Sequence, residues 1–185
     1  GRQILLHVRI AGAGPAALQE MNARLAVPQR SDLIQASAFR PGWDLEKALR
    51  NLPGLEILTA SHLVTRPNRG VSFQAGAQWN ESRRGCGIRI QFLPTVGSAG
   101  TLRLRVEPEV TAPQAEGVAT RKIETEVELL DGQSFLVTGL LDSGEQAAGM
   151  IARLFPSQAP STTNRELVVL GTLQFVRPAP AGRQT

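Results

Sequence analysis

Residues 87–96 read GIRIQFLPTV and residues 101–110 read TLRLRVEPEV, two runs in which apolar and polar positions alternate. In an extended chain Ile88, Ile90 and Phe92 point one way, and Arg89 and Gln91 the other. Leu102, Leu104 and Val106 likewise oppose Arg103, Arg105 and Glu107. A period of two with charge on one side predicts strands of a sheet with one wet face.

The same texture extends in both directions. Residues 55–65 (LEILTASHLVT), 70–79 (GVSFQAGAQW) and 165–176 (RELVVLGTLQFV) are further strand-like runs, separated by Pro, Gly, Asn and Ser. In residues 122–141, KIETEVELLDGQSFLVTGLL, the dipeptide Asp131-Gly132 suits a tight turn, so the sequence predicts a hairpin whose arms flank it. Glu124, Glu126 and Glu128 share one face of the first arm. If that face meets the arginines of nearby strands, each opposite pair contributes about 0.2 to 1 kcal/mol and helps set the register.

The N-terminal part is less uniform. Residues 3–11 read as a strand and 15–25 as a helix with Pro15 in its first turn. Residues 26–43 show no clear period and fit an irregular hairpin. Asp44 is placed to cap a short helix over 45–52, which Pro53-Gly54 ends. Residues 145–155 fit a third short helix, 157–164 a polar loop, and 178–185 a disordered Pro-rich tail. The expected fold class is therefore mainly β with two or three short helices, an α+β arrangement of antiparallel hairpins, in one domain over 1–177.

Composition narrows the function. The 185 residues are 42% hydrophobic and 19% charged, which is globular. The net charge of +4 comes from arginines dispersed along strand faces. With few aromatics to stack on bases and no dense basic block, this argues against nucleic acid as a partner. Cys86 is the single cysteine, which excludes an intrachain disulfide and a cysteine-based zinc cluster. His7 and His62 lie in no metal-ligand spacing. No run approaches the roughly 20 apolar residues of a membrane helix. With no initiating Met and no signal pattern, the chain is expected to be a mature or excised part of something longer.

Residues 4–21, ILLHVRIAGAGPAALQEM, superficially resemble the strand, glycine turn and helix that hold a dinucleotide. That reading requires a buried parallel strand followed by further βα units. His7 and Arg9 interrupt this strand, and β-rich sequence follows residue 54, so Gly12 and Gly14 are read as a plain strand-to-helix connection. Glu107 and Glu109 share a strand face and could form an acid and base pair in principle. Pro108 between them and the neighbouring arginines favour solvated or salt-bridged charges. No catalytic, cofactor or metal residues are assigned, and no enzyme activity is expected.

Taken in order, the segments resemble the secretin domain of bacterial type II and type III secretion channels and type IV pilus pores. Residues 4–25 are similar to its opening strand and helix. Residues 55–76 are similar to its next two strands through Thr65, Phe73 and Gly76. The run 87–96 fits its Gly-x-x-Leu-x-Phe-x-Pro-x-Val pattern through Gly87, Phe92, Pro94 and Val96. Further matches are Glu109 and Val110, with Thr111, at a strand end, then Asp131, Gly132 and Gln133 at a turn, Gly139 and Leu140 after it, and Glu166, Leu167 and Thr172 in the closing strand.

There are departures. Residues 147–155, AAGMIARLF, stand where the family carries a proline- and glycine-rich run. Leu173 replaces a proline, AQW follows Gly76, and the segments 25–45 and 76–87 are shorter than the family's barrel and gate hairpins.

The resemblance implies a protomer giving several strands to a shared barrel in a homo-oligomeric ring, in the outer membrane, with secretion or pilus machinery and outer-membrane lipid as partners. In that picture the face of Leu102, Leu104 and Val106, or its equivalent on the hairpin, meets lipid. The alternative is a soluble periplasmic scaffold or docking unit in which the same face is core, packed on the helices.

Overall fold

The first strand, β1 (Ile4–Ala13), lies antiparallel to a neighbour on each side, which removes the parallel sheet that a dinucleotide fold requires. The structure is a computed structural model that describes residues 2–29, 34–75, 87–114, 117–141 and 165–177. In chain order the elements are β1, α1 (Pro15–Ala23), β2 (Gln35–Ala38), α2 (Leu45–Leu49), β3 (Leu55–Thr65), β4 (Val71–Ala75) and β5 (Gly87–Val96). There follow β6 (Leu102–Gln114), β7 (Gly117–Lys122), β8 (Thr125–Leu129), β9 (Ser134–Thr138) and β10 (Glu166–Phe175). The chain is mainly β with two described helices, as the alternating pattern implied.

Two antiparallel sheets form. The first has the order β2-β9-β10-β1-β3; the second is β4-β5-β6-β7, with β8 also on β6. β7 and β8 are two stretches of one partner for β6, sharing a single register from Gln114↔Gly117 through Val106↔Thr125 to Leu102↔Leu129. Between them the amide of Ile123 still donates to the carbonyl of Pro108 at 3.2 Å.

The apolar faces of the two sheets pack on each other. Ile4, Leu6, Val8 and Ile10 of β1 meet Ile88, Ile90 and Phe92 of β5 and Leu102, Leu104 and Val106 of β6 in one cluster. Each fully buried side chain of this size contributes about 1.5–3 kcal/mol. The opposite face of the first sheet carries the helices, through Ala17, Met21 and Leu45 against Ala11, Ala13, Leu136, Val168 and Leu170. The layers are therefore helices, sheet and sheet. Leu102, Leu104 and Val106 are 0% exposed, so the expectation that they meet lipid is corrected. They are core, and it is the other sheet that covers them rather than the helices.

The Asp131-Gly132 hairpin is corrected as well. β8 pairs with β6, whereas β9 pairs with β10 and β2, so the turn carries the chain from one sheet to the other. The dipeptide does form the expected turn, with Gly132 at φ +83°. Local sequence specified the bend but not the partners, which long-range burial selects.

The remaining segments follow simpler rules. α1 starts on Pro15 with Gly14 before it and stops at Ala23, two residues short of expectation. Asp44 caps α2 by accepting from the amide of Lys47 at 3.1 Å, and that helix ends at Leu49 rather than 52. Of 26–43, where an irregular hairpin is expected, the described residues form β2 and an antiparallel bridge between Leu25 and Phe39, with the amide of Ala26 donating to the carbonyl of Ala38 at 2.9 Å; 30–33 lie outside the described residues. β6 runs four residues beyond the 110 expected. The third helix at 145–155, the loop at 157–164, the tail at 178–185, Cys86 and Gly76 with its AQW lie outside the described residues.

Candidate functional site

The turn at 131–133 is a junction in which each residue has its own bond. The Asp131 carboxylate accepts from the amide of Phe175 at 2.8 Å. Gly132 donates its amide to the carbonyl of Leu173 at 2.8 Å, and its positive φ is one that L side chains rarely adopt. The Gln133 side chain accepts from the amide of Leu130 at 2.8 Å and donates to the carbonyl of Phe39 at 2.6 Å. Asp-Gly-Gln thereby ties the end of β8, the start of β9, the end of β10 and the segment after β2.

The other motif residues are distributed through the frame. Phe73, Phe92, Val110, Leu140 and Leu167 belong to the core between the sheets, and Gly87 and Pro94 are buried on β5. The Pro94 carbonyl accepts from the amide of Asn68 at 2.8 Å, while the Thr65 hydroxyl donates to the carbonyl of Arg69 at 2.9 Å. Together these fold the β3–β4 connection. Thr172 shares a hydroxyl bond with Ser134 at 2.8 Å. The Glu166 carboxylate accepts from the amide of Gly139 at 3.4 Å, where Gly139 has φ +80°. Glu109 stands opposite Arg89 and Lys122 on the wet face, and Val96 is exposed. The described motif residues are dispersed over turns, core and strand edges.

Those edges are the chemically open feature. β3 and β4, consecutive in the chain, each end a sheet on the same side of the sandwich. On the other side β2 ends the first sheet, and β7 and β8 border the second, joined where the amide of Ala36 donates to the Thr125 hydroxyl at 3.1 Å. β3 is long, and from Ile57 to Thr65 it contains no Lys, Arg, Asp, Glu or Pro. Among the described residues its outer backbone groups pair with no strand. Long edges without charge or proline are those that pair with another chain.

The wet face of the second sheet balances its own charge. Arg103 of β6 pairs with Glu126 of β8 at 3.1 Å, and Arg105 with Glu124, just before β8, at 3.0 Å. Thr101 donates to Glu128 at 2.6 Å. The cross-strand ion pairs anticipated from the alternation are present, but all are exposed and so worth at most about 1 kcal/mol each.

A second polar cluster lies on the helix side of the first sheet. Arg9, 5% exposed, pairs with Glu46 of α2 and donates to His7 Nδ1 at 3.0 Å. His7 stands opposite His62 in the register, with the rings stacked at 3.8 Å between centroids. Burial, then the Arg9 charge and then His62 hold His7 below its ordinary pKa, against the pull of Glu46. The sequence gives no hint of this meeting, because the two histidines are separated by the whole of α1, β2 and α2. Nor does the motif reading include Gly171, whose signal is a glycine inside an apolar strand run. Among the described residues no group of three or more His, Cys, Asp or Glu is placed to hold a metal ion, and no helix is long and apolar enough to cross a membrane.

No family model matches the chain. An uncharacterized protein, y4xJ, of Sinorhizobium fredii is 32% identical over 149 aligned positions, covering 69% of this chain and 35% of that protein. A virion export protein of Enterobacteria phage I2-2 is 27% identical, covering 51% of this chain and 26% of that protein. The chain thus spans about a third or less of the length of these curated relatives. Among solved structures, the type II secretion system secretin GspD of E. coli K12 shares 16% identity over 96% of this chain and 51% of that one, with a TM-score of 0.45. The type IV competence pilus secretin PilQ of V. cholerae shares 12% over 95% and 61%, with a TM-score of 0.39. Both are named as members of the family that the sequence motifs resemble.

Proposed function

We propose that this chain is the secretin-type domain of an export channel protomer, which joins copies of itself edge to edge into a ring through which macromolecules leave the cell. The observation that carries the reading is the β3 edge, without charge from Ile57 to Thr65 and without a strand partner among the described residues, on the side of the sandwich away from the joined β2 and β8. An open edge that docks on a different surface of the next copy makes a head-to-tail contact, and head-to-tail contacts close into rings when the rotation allows. The ordered run of motif residues and the phage relative's name as a virion export protein support the same reading. Outer-membrane placement and secretion or pilus machinery as partners belong to this proposal. The chemistry is passive; the ring conducts and does not transform its cargo.

A second reading, a periplasmic scaffold or docking unit, is favoured by one observation. The face of Leu102, Leu104 and Val106 is used up inside the protomer, and the exposed face of the same sheet is charged. Native mass in buffer and in detergent or lipid separates the two. A ring that forms with membrane and is lost in Ala60→Lys/Val64→Lys, two exposed edge positions, supports the channel. A 19.9 kDa monomer under both conditions supports the scaffold.

A further inference from the structure

The sequence has two histidines in 185 residues, and the fold brings them face to face on the only described partner that β3 has. Among the described residues, the charged groups against them come from three elements. β1 supplies Arg9, whose guanidinium donates to His7 Nδ1. α2 supplies Glu46, whose carboxylate lies 3.3 Å from that nitrogen and is engaged by Arg9. β3 supplies His62 itself. On its other side, β1 presents Thr172 of β10 opposite His7, which carries no charge.

The consequence is an imbalance on adding protons. With His7 neutral, Nδ1 accepts from Arg9, and the one carboxylate answers the one guanidinium. Protonating His7 places a hydrogen on Nδ1 facing the Arg9 donor, so that bond is lost and two cations abut. Glu46 is then a single anion between two cations, and the strain bears on the ring contact through which β3 lies against β1.

The geometry points to a proton-sensitive seam: acidification below neutrality loosens β3 from β1, while the β1–β10 pairing and the core between the sheets stay in place. The seam is a property of the single chain, so it holds whether or not copies assemble. The direction follows from the ground state. A histidine held below its ordinary value binds protons more weakly folded than unfolded, so stability is complete above about 6.5 and is lost as pH falls below it.

Amide hydrogen exchange on the 185-residue chain at pH 7.5 and 5.5, corrected for intrinsic rates, tests this. Protection over 55–65 is expected to fall on acidification, by at most about tenfold at pH 5.5, which lies about one unit below the ordinary histidine value, with protection over 166–175 unchanged. His62→Gln, at an exposed position, should keep part of that protection, and His7→Gln/His62→Gln should keep nearly all of it. Because only two imidazoles titrate, their NMR signals report each protonation directly in the unsubstituted chain. Constant protection over 55–65, an equal loss over 166–175, a loss that survives both substitutions, or a His7 that titrates at or above the ordinary value each overturns the proposal.

Discussion

The ring of Phe135 occupies the space where a side chain of Gly171 would begin. The two residues are directly paired across β9 and β10, and a Cβ on Gly171 would lie 2.3 Å from Phe135 Cζ and 2.6 Å from Cε1. An aromatic ring over a cross-strand glycine covers backbone that glycine leaves bare. From there Phe135 reaches across the sandwich to Phe92, edge to face at 6.5 Å between centroids.

Gly171→Ala is therefore expected to destabilise the chain by about 1–3 kcal/mol through overpacking. Phe135→Ala should cost about 3–5 kcal/mol through the cavity it leaves. Urea unfolding of Gly171→Ala, of Phe135→Leu and of Gly171→Ala/Phe135→Leu measures the coupling. The smaller Leu should recover part of the Gly171→Ala loss, and purely additive costs would show that the ring does not occupy that space.

Leu104→Asp tests where the apolar face of β6 lies. An unpaired carboxylate among Ile90, Phe92 and Leu102 has neither water nor a cation, so the chain should unfold or aggregate in plain buffer. Circular dichroism without membrane reads this. A Leu104→Asp variant that stays folded and unfolds cooperatively would remove the face-to-face packing of the two sheets.

Gln133→Ala removes both side-chain bonds at the junction and leaves the Phe39 carbonyl without that donor. A loss of about 1–3 kcal/mol is expected. Hydrogen exchange should show the loss most strongly at the β2–β9 pairing, which has only four residues on each strand.

The charge lattice should matter little to stability. Exchanging Arg105 and Glu124, as Arg105→Glu/Glu124→Arg, is expected to leave the thermal midpoint within about 2 °C, since exposed pairs contribute at most about 1 kcal/mol. Each single reversal should cost more than the exchange, and the difference should shrink in 1 M salt.

What can be read from the residues is local. The alternation in β5 and β6, the Asp44 cap, the span of β3 and the bend at Gly132 all follow from rules acting within about ten residues. Partner choice does not follow. The Asp-Gly dipeptide between 125–129 and 134–138 implies that these arms pair, yet Val127 and Leu129 bury against the core when β8 extends the β6 meander. The glutamates still reach arginines, since β6 is also a near neighbour in the chain. His7 with His62 and Phe135 with Gly171 depend on register between distant segments, for which periodicity carries no signal. The open β3 edge is legible only as a run without charge; its position at the border of the sheet comes from topology.

The pairing of Ile4 with Phe175 along β1 and β10 sets an order of events in time. β5 to β8 form a meander closed by near neighbours, which a growing chain can build as soon as it emerges. The first sheet is not completed in that way, because β1 is flanked by β3, which follows it closely in the chain, and by β10, the last of the described strands. Long loops close slowly, and contacts of large sequence separation slow folding. During synthesis the β1–β3 pair therefore presents an unpaired β1 edge until β10 is made, and the safe custody of that edge until then, by a chaperone or by speed, is a requirement written into the topology.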